Sequence, residues 1–277
     1  MSAVEQQRYS LGHTAAEHER LRRQARVWEA ATGRLLDDAG LRRGATCLDA
    51  GCGPGETMRL MAERVGAAGR VTGIDLDAAL GAIAVGRLRA DGHHQCRFER
   101  HDLTSEAPLP GAPYDAVYAR LVLYHLPQRV EVLARLWAAV APGGHLIVQD
   151  YDLRSLGVLP ALDSVDEIGR VLMDAFGEAG CDVHVGAKLP QLFAQVGAGE
   201  PDGTDVAGRL EPLEKGRLIL ESTFRSLLPV ALAHGITTEA QAAQTLDQLQ
   251  RDVARFPGRP MMWPLMIGAW KGKRARA

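Results

Sequence analysis

The chain has 277 residues, 46% hydrophobic and 24% charged, with a formal net charge of −2. That is ordinary globular composition, with apolar surface enough for a full core, which excludes a disordered chain. The near-balanced charge excludes a whole surface built to track a phosphate backbone. Residues 14–40 read as helix, because Leu21, Trp28, Leu35 and Leu36 recur at roughly helical spacing and Gly40 makes a stop. Arg20, Arg22, Arg23 and Arg26 interleave with Glu17, Glu19 and Glu29 and read as a solvated face. The first eleven residues are polar and lack the apolar stretch of a signal peptide. No window approaches the ~18 uninterrupted apolar residues of a membrane span. Cys47, Cys52, Cys96 and Cys181 form no C-x-x-C pair and no zinc-spaced cluster with histidine. A cytoplasmic protein with free thiols and no metal is expected.

From residue 46 strands and helices alternate. Strand patterns cover 46–49, 71–74, 96–99, 114–118 and 145–149, and helical patterns cover 56–65, 78–90 and 128–140. Pro142-Gly143-Gly144 reads as a turn before the fifth strand. This spacing predicts an α/β fold with a doubly wound, mostly parallel sheet and helices on both faces. In such sheets ligands sit at the carboxyl ends of the strands, near the switch in strand order. Beyond Tyr151 the pattern predicts helices over 163–179, 189–196, 213–233 and 238–255, and a strand over 204–210. A last strand over 260–270 carries Pro264, which predicts an edge or bulged strand. Some fifty mostly helical residues between the two final strands predict a cap inserted over the active site. The chain thus divides into an N-terminal helical cap segment (1–40), a ligand-binding core (41–150), and a substrate-side cap with the last strands (151–277). The basic tail 271–276 reads as a disordered terminus.

The most informative stretch is Cys47-Leu48-Asp49-Ala50-Gly51-Cys52-Gly53-Pro54-Gly55-Glu56. It reads as a buried strand, a glycine loop and a helix start. Glycines at 51, 53 and 55 free the backbone for conformations closed to other residues and let a ligand approach closely. The helix aims its free N–H groups at that ligand. A dinucleotide fingerprint, G-x-G-x-x-G, places its third glycine or alanine at position 56. Glu56 stands there instead, a poor neighbour for pyrophosphate and a tolerable one for a positive sulfonium. The loop therefore points to S-adenosylmethionine and away from nicotinamide dinucleotides.

With Asp75 ending the second strand and His101-Asp102-Leu103 following the third, the chain resembles the class I, Rossmann-like S-adenosylmethionine-dependent methyltransferases from about Leu41 to Gln149. Tyr9-Ser10-Leu11-Gly12-His13, with Arg20-Leu21 and Gln24-Ala25, resembles a bacterial subgroup acting on small molecules of secondary metabolism. The resemblance implies a seven-stranded sheet. It implies that Asp49 with Gly51, Cys52 and Gly53 holds the methionine end of the cofactor, or that Asp49 only orders the loop. It implies that Asp75 with Leu76 accepts from the ribose hydroxyls, an N-cap at the next helix being the other reading. Asp102 with Leu103 would take the adenine edge, or Asp102 would cap a turn over 104–106. Arg120 would pair with Asp49 or with a substrate anion. Tyr9 and Gln24 would close the pocket. His125 is the candidate general base, its ordinary pKa near ~6.5 suiting proton removal; a structural histidine is the competing reading. Tyr124, Tyr151 and Asp150 are expected at the substrate, with weaker claims for His184 and Trp263.

No Asn/Asp-Pro-Pro-Tyr/Phe follows the fourth strand, which removes the signature of nucleobase amino-methylating enzymes. The expected activity is methyl transfer to oxygen or nitrogen, with carbon also open, of a small natural-product intermediate. A nucleic-acid methyltransferase, a silent cofactor-binding protein and an NAD(P)-dependent oxidoreductase are the alternatives. The expected partner is a small molecule, not nucleic acid or membrane, and a homodimer is compatible with the sequence.

Overall fold

A computed structural model describes residues 22–23 and 25–275. Tyr9 and Gln24 lie outside the described residues. In chain order the described elements begin with α1 (Glu29–Asp38), β1 (Thr46–Ala50), α2 (Glu56–Val65), β2 (Arg70–Asp75), α3 (Ala78–Ala90), β3 (Cys96–Arg100), β4 (Tyr114–Arg120), α4 (Arg129–Ala138) and β5 (Val140–Asp152). They continue with β6 (Gly157–Val158), α5 (Asp163–Glu178), α6 (Val185–Gln195), β7 (Gly203–Ala207) and β8 (Leu210–Pro212). The chain then runs through α7 (Leu213–Ala233), α8 (Glu239–Arg255), β9 (Pro260–Met262) and β10 (Leu265–Gly272).

Seven strands form one sheet in the order β3-β2-β1-β4-β5-β10-β7. β10 runs antiparallel to both of its neighbours, β5 and β7, and the other pairs of this sheet are parallel. The sheet is buried on both faces because successive residues of each strand feed opposite cores. Cys47 joins Leu36, Met58 and Ile147 on one face, while Leu48 joins Leu133, Val148 and Val185 on the other. Strand order reverses between β1 and β4, which pair from Cys47↔Ala116 to Ala50↔Ala119. The ends of β1, β2 and β4 therefore meet at one place.

Several expectations are corrected. Pro142-Gly143-Gly144 is not a turn but a bulge within β5, where the pairing slips between Tyr114 and Ala116 and Gly143 takes φ +81°. The single strand expected over 204–210 breaks into β7 and β8. Pro264 does not mark an edge strand: it falls in the break between β9 and β10, and β10 lies inside the sheet. Helix α6 begins four residues earlier than predicted, at Val185, with Pro190 inside it. Gly186 is needed there because a Cβ would lie 2.6 Å from the Asp150 carbonyl. The tail is ordered through Lys273, whose carbonyl accepts from Gly143 N–H at 2.7 Å and whose ammonium donates to the Val140 carbonyl at 2.8 Å.

Between β7 and β10 lie α7 and α8, which pack on each other and on α5. A second, three-stranded sheet, β6-β9-β8, ties them down.

Candidate active site

The glycine loop leaves β1 with Gly51, Gly53 and Gly55 at φ +74°, +48° and +80°. A side chain at Gly51 would lie 2.4 Å from Val122 Cγ2, so that glycine exists for packing. A Cβ at Gly53 would meet nothing within 4 Å, so that glycine borders open space. Gly51 and Cys52 N–H both donate to the Ile74 carbonyl, at 2.8 and 3.0 Å. Gly53 N–H donates to Asp75 Oδ2 at 2.9 Å. The loop is thus fastened to the end of β2 by backbone and carboxylate together.

Asp49 is buried beneath this loop. The Met58 amide bonds its carboxylate, yet Oδ2 is buried with no hydrogen-bond partner. Burial pushes its pKa up to about 7, against the opposing charge of Arg120. Arg120 donates to Thr32 Oγ1 at 3.0 Å. Thr32 in turn donates to Gln149 Oε1 at 2.7 Å, which also accepts from Tyr118 at 2.9 Å.

Asp75 is not the N-cap of α3; Asp77 is, accepting from Leu80 N–H at 2.9 Å. The Asp75 oxygens accept from Gly53 and Asp77 amides and keep lone pairs for further donors. Burial raises its pKa. Leu76 beside it is exposed. Asp102 does cap the turn after β3, its Oδ1 accepting from Thr104 N–H and Oγ1 at 2.7 Å each. Leu103 is half-buried, its carbonyl taken by Arg135. Glu56 does not face the open loop. It sits between Arg87 at 3.3 Å, Arg22 at 3.5 Å and Arg59 at 3.8 Å, so its charge is already balanced.

The segment after β4 turns sharply: Leu121 is the one non-glycine residue among those described with positive φ, +55°. Such strain persists only where the surroundings impose it. A short 3-10 turn over Leu123–His125 follows. Asp150 holds this segment from below, its oxygens accepting from Tyr124 and Tyr151 N–H at 3.2 and 3.0 Å. It is fully buried, and burial pushes its pKa up to about 7 against those amides. Asp150 therefore braces the site from beneath. His125 stacks on the Tyr124 ring at 3.7 Å, and its Nδ1 lies 3.8 Å from Cys181 Sγ.

Beside this segment opens a cavity of about 70 Å³ between the sheet and the cap. Tyr124 and Tyr151 line it from the core; Phe176, Leu220, Thr223 and Trp263 line it from the cap side. His125 and Asp150 do not line it. Trp28 Nε1 donates to Tyr151 Oη at 2.7 Å, and the Trp28 ring meets Tyr151 and Trp263 edge-on at 6.0 and 6.4 Å. His184 caps α6 away from the cavity wall, its Nδ1 3.0 Å from Asp152 Oδ1. Arg154 holds the Asp152 carboxyl well below the usual carboxylate range, and burial opposes it. No group of three or more metal-ligating side chains occurs among the described residues.

Sequence reasoning missed Trp28, Thr32 and Gln149. In the sequence Trp28 shows only its spacing, although an indole on a core-facing stripe needs a partner for its N–H. Thr32 and Gln149 carry no motif and show their role only once folding pairs them.

Residues 18–199 match the family of the methyltransferase domain. A trans-aconitate 2-methyltransferase from Variovorax paradoxus is 40% identical over 120 residues, 43% of this chain and 44% of that protein. A 2-phytyl-1,4-naphtoquinone methyltransferase from Thermosynechococcus vestitus is 32% identical over 125 residues, 45% of this chain and 53% of that protein. The chain thus spans about half the length of these curated relatives. A Bacillus halodurans crystal structure superposes with a TM-score of 0.61 at 14% identity, covering 89% of this chain and 100% of that one. A geranyl diphosphate methyltransferase solved with its cofactor gives 0.51 at 15% identity, over 93% and 91%. At these identities the likeness is one of fold.

Proposed function

Since the chain belongs to the methyltransferase-domain family, which matches it over residues 18–199, we propose that it is an S-adenosylmethionine-dependent methyltransferase acting on a small molecule. The observation that carries the cofactor is the unpartnered, buried oxygen of Asp49 beneath a loop whose Gly53 borders open space. A buried carboxylate oxygen without a donor is costly, and a cationic ligand supplies what it lacks.

Asp49 would hold the amino group of the cofactor's methionine end, with the Gly51–Gly55 backbone packed against it. Asp75 has lone pairs left for two ribose hydroxyls. Asp102 and Leu103 stand at the adenine position, Asp102 fixed by its own turn. When bound, the cofactor supplies a sulfonium-borne methyl group and its own leaving group. The protein's part is to exclude water and to align an acceptor, and a positioned pair of reactants gains far more than a free one. Tyr124 and Tyr151 present the acceptor, Asp150 fixes their backbone, and His125 takes the proton of an acceptor that must lose one.

No helix among the described residues is long and apolar enough to cross a membrane. Calorimetric titration with S-adenosylmethionine and with its demethylated product is expected to give one site per chain for each. Binding of NADH in their place would overturn the assignment.

A further inference from the structure

The cavity between sheet and cap has a chemistry of its own. Its described lining is aromatic and aliphatic: Tyr124, Tyr151, Phe176, Leu220 and Trp263, with Thr223 as the aliphatic-borne hydroxyl. No Asp, Glu, Lys, Arg or His is among the described lining residues. Asp150 lies nearby but spends its oxygens on backbone amides. The Tyr151 hydroxyl oxygen accepts from Trp28. Trp263 Nε1 is buried without a hydrogen-bond partner, a donor suited to an oxygen.

Such a wall discriminates by charge. A carboxylate or an ammonium entering it leaves water and finds no counter-charge among the described lining residues, which costs far more than an apolar wall returns. At neutral pH carboxylic acids are anions and aliphatic amines are cations, whereas a phenolic hydroxyl, with an ordinary value of about 10, stays neutral. Edge and face contacts from four aromatic residues favour a planar ring over a flexible chain.

Resting on the methyltransferase reading, we propose that this cavity selects a neutral, ring-bearing acceptor whose methylated group is a hydroxyl, and refuses polycarboxylates such as the acceptor named for the Variovorax relative. The hydroxyl oxygen forms its bond to the methyl carbon as the carbon–sulfur bond breaks. The electron pair of that bond stays on sulfur, and the hydroxyl proton passes through a water to His125, which stands behind Tyr124 outside the cavity wall.

Three probes of one size separate the possibilities: naphthol, naphthoate and naphthylmethylamine. Each is titrated calorimetrically at pH 7 into the full chain saturated with S-adenosylhomocysteine, and each is tested for methylation. Naphthol is expected to bind at least about tenfold more tightly than either ionised probe and to be the one methylated. Thr223→Arg, at a half-buried position, is expected to weaken naphthol about tenfold and to raise naphthoate above it, with an unchanged far-ultraviolet spectrum. Preference for naphthoate or the amine in the parent chain, equal binding of all three, or binding of none overturns the acceptor class. Failure of the cofactor itself to bind, read in the preceding titration, overturns the methyltransferase reading instead.

Discussion

A carboxylate sealed beneath Gly51 with one oxygen unpartnered is a burden on the ligand-free protein. With its pKa raised to about 7 by burial, Asp49 holds a proton in the native state that the unfolded chain releases near pH ~4. The native state binds more protons across that window, so stability falls as pH rises from ~4 to ~7 and stays low above it. Asp49→Asn should therefore raise the melting temperature of the ligand-free protein at pH 8 by several degrees, with the difference vanishing near pH 4. The same change should weaken S-adenosylmethionine at least about tenfold, because a charge-assisted bond of ~1.5–3 kcal/mol is lost. A variant that melts and binds as the parent does would remove Asp49 from the site. Asp75→Ala should cost about 2 kcal/mol of cofactor affinity by the same calorimetry, since it leaves hydroxyls without an acceptor and frees the loop from β2. His125→Ala should lower turnover of a hydroxyl acceptor more than cofactor binding; unchanged turnover would leave it a packing residue against Tyr124.

Among elements, the glycine loop separates fold from function. Gly53→Ala adds a methyl group where no protein atom lies within 4 Å, at φ +48°. It should shift the melting temperature modestly, through the ~1–2 kcal/mol cost of a left-handed residue, and weaken the cofactor much more. Gly51→Ala drives the methyl group into Val122 and should lower stability and binding together, as melting and calorimetry on the same samples would reveal. The core elements were legible because local pattern and tertiary environment agree: Glu56–Val65, Ala78–Ala90 and Leu213–Ala233 were bounded from sequence as they fold. Elements whose bounds depend on distant partners were not. The β5 bulge is set by its register against β4, the early start of α6 by close approach of Gly186 to β5, and the three-stranded sheet by pairing across the cap. The positions of Asp49, Asp75 and Asp102 at or just beyond strand ends were legible in the sequence. The cavity was not, because Phe176, Leu220 and Thr223 belong to helices whose spacing says only that they are amphipathic.

Across the molecule, the cap and the sheet are one structure by connectivity. The chain lays down β7 at the sheet's edge, builds the cap, and returns to insert β10 between β7 and β5. A chain ending at residue 259 should therefore lose its cooperative melting transition, because β5 and β7 would each face an unfilled gap with unpaired backbone groups. Survival of a sharp transition would mean that the sheet stands without its last strand. Residue 272 pairs with residue 145, and residue 270 with residue 203. Contacts so far apart in sequence close late and slowly. During synthesis the gap between β5 and β7 stays open until β10, the last of the described strands, has left the ribosome. The strands that carry the glycine loop leave the ribosome early, while the strand that ties β7 to them leaves last among those described.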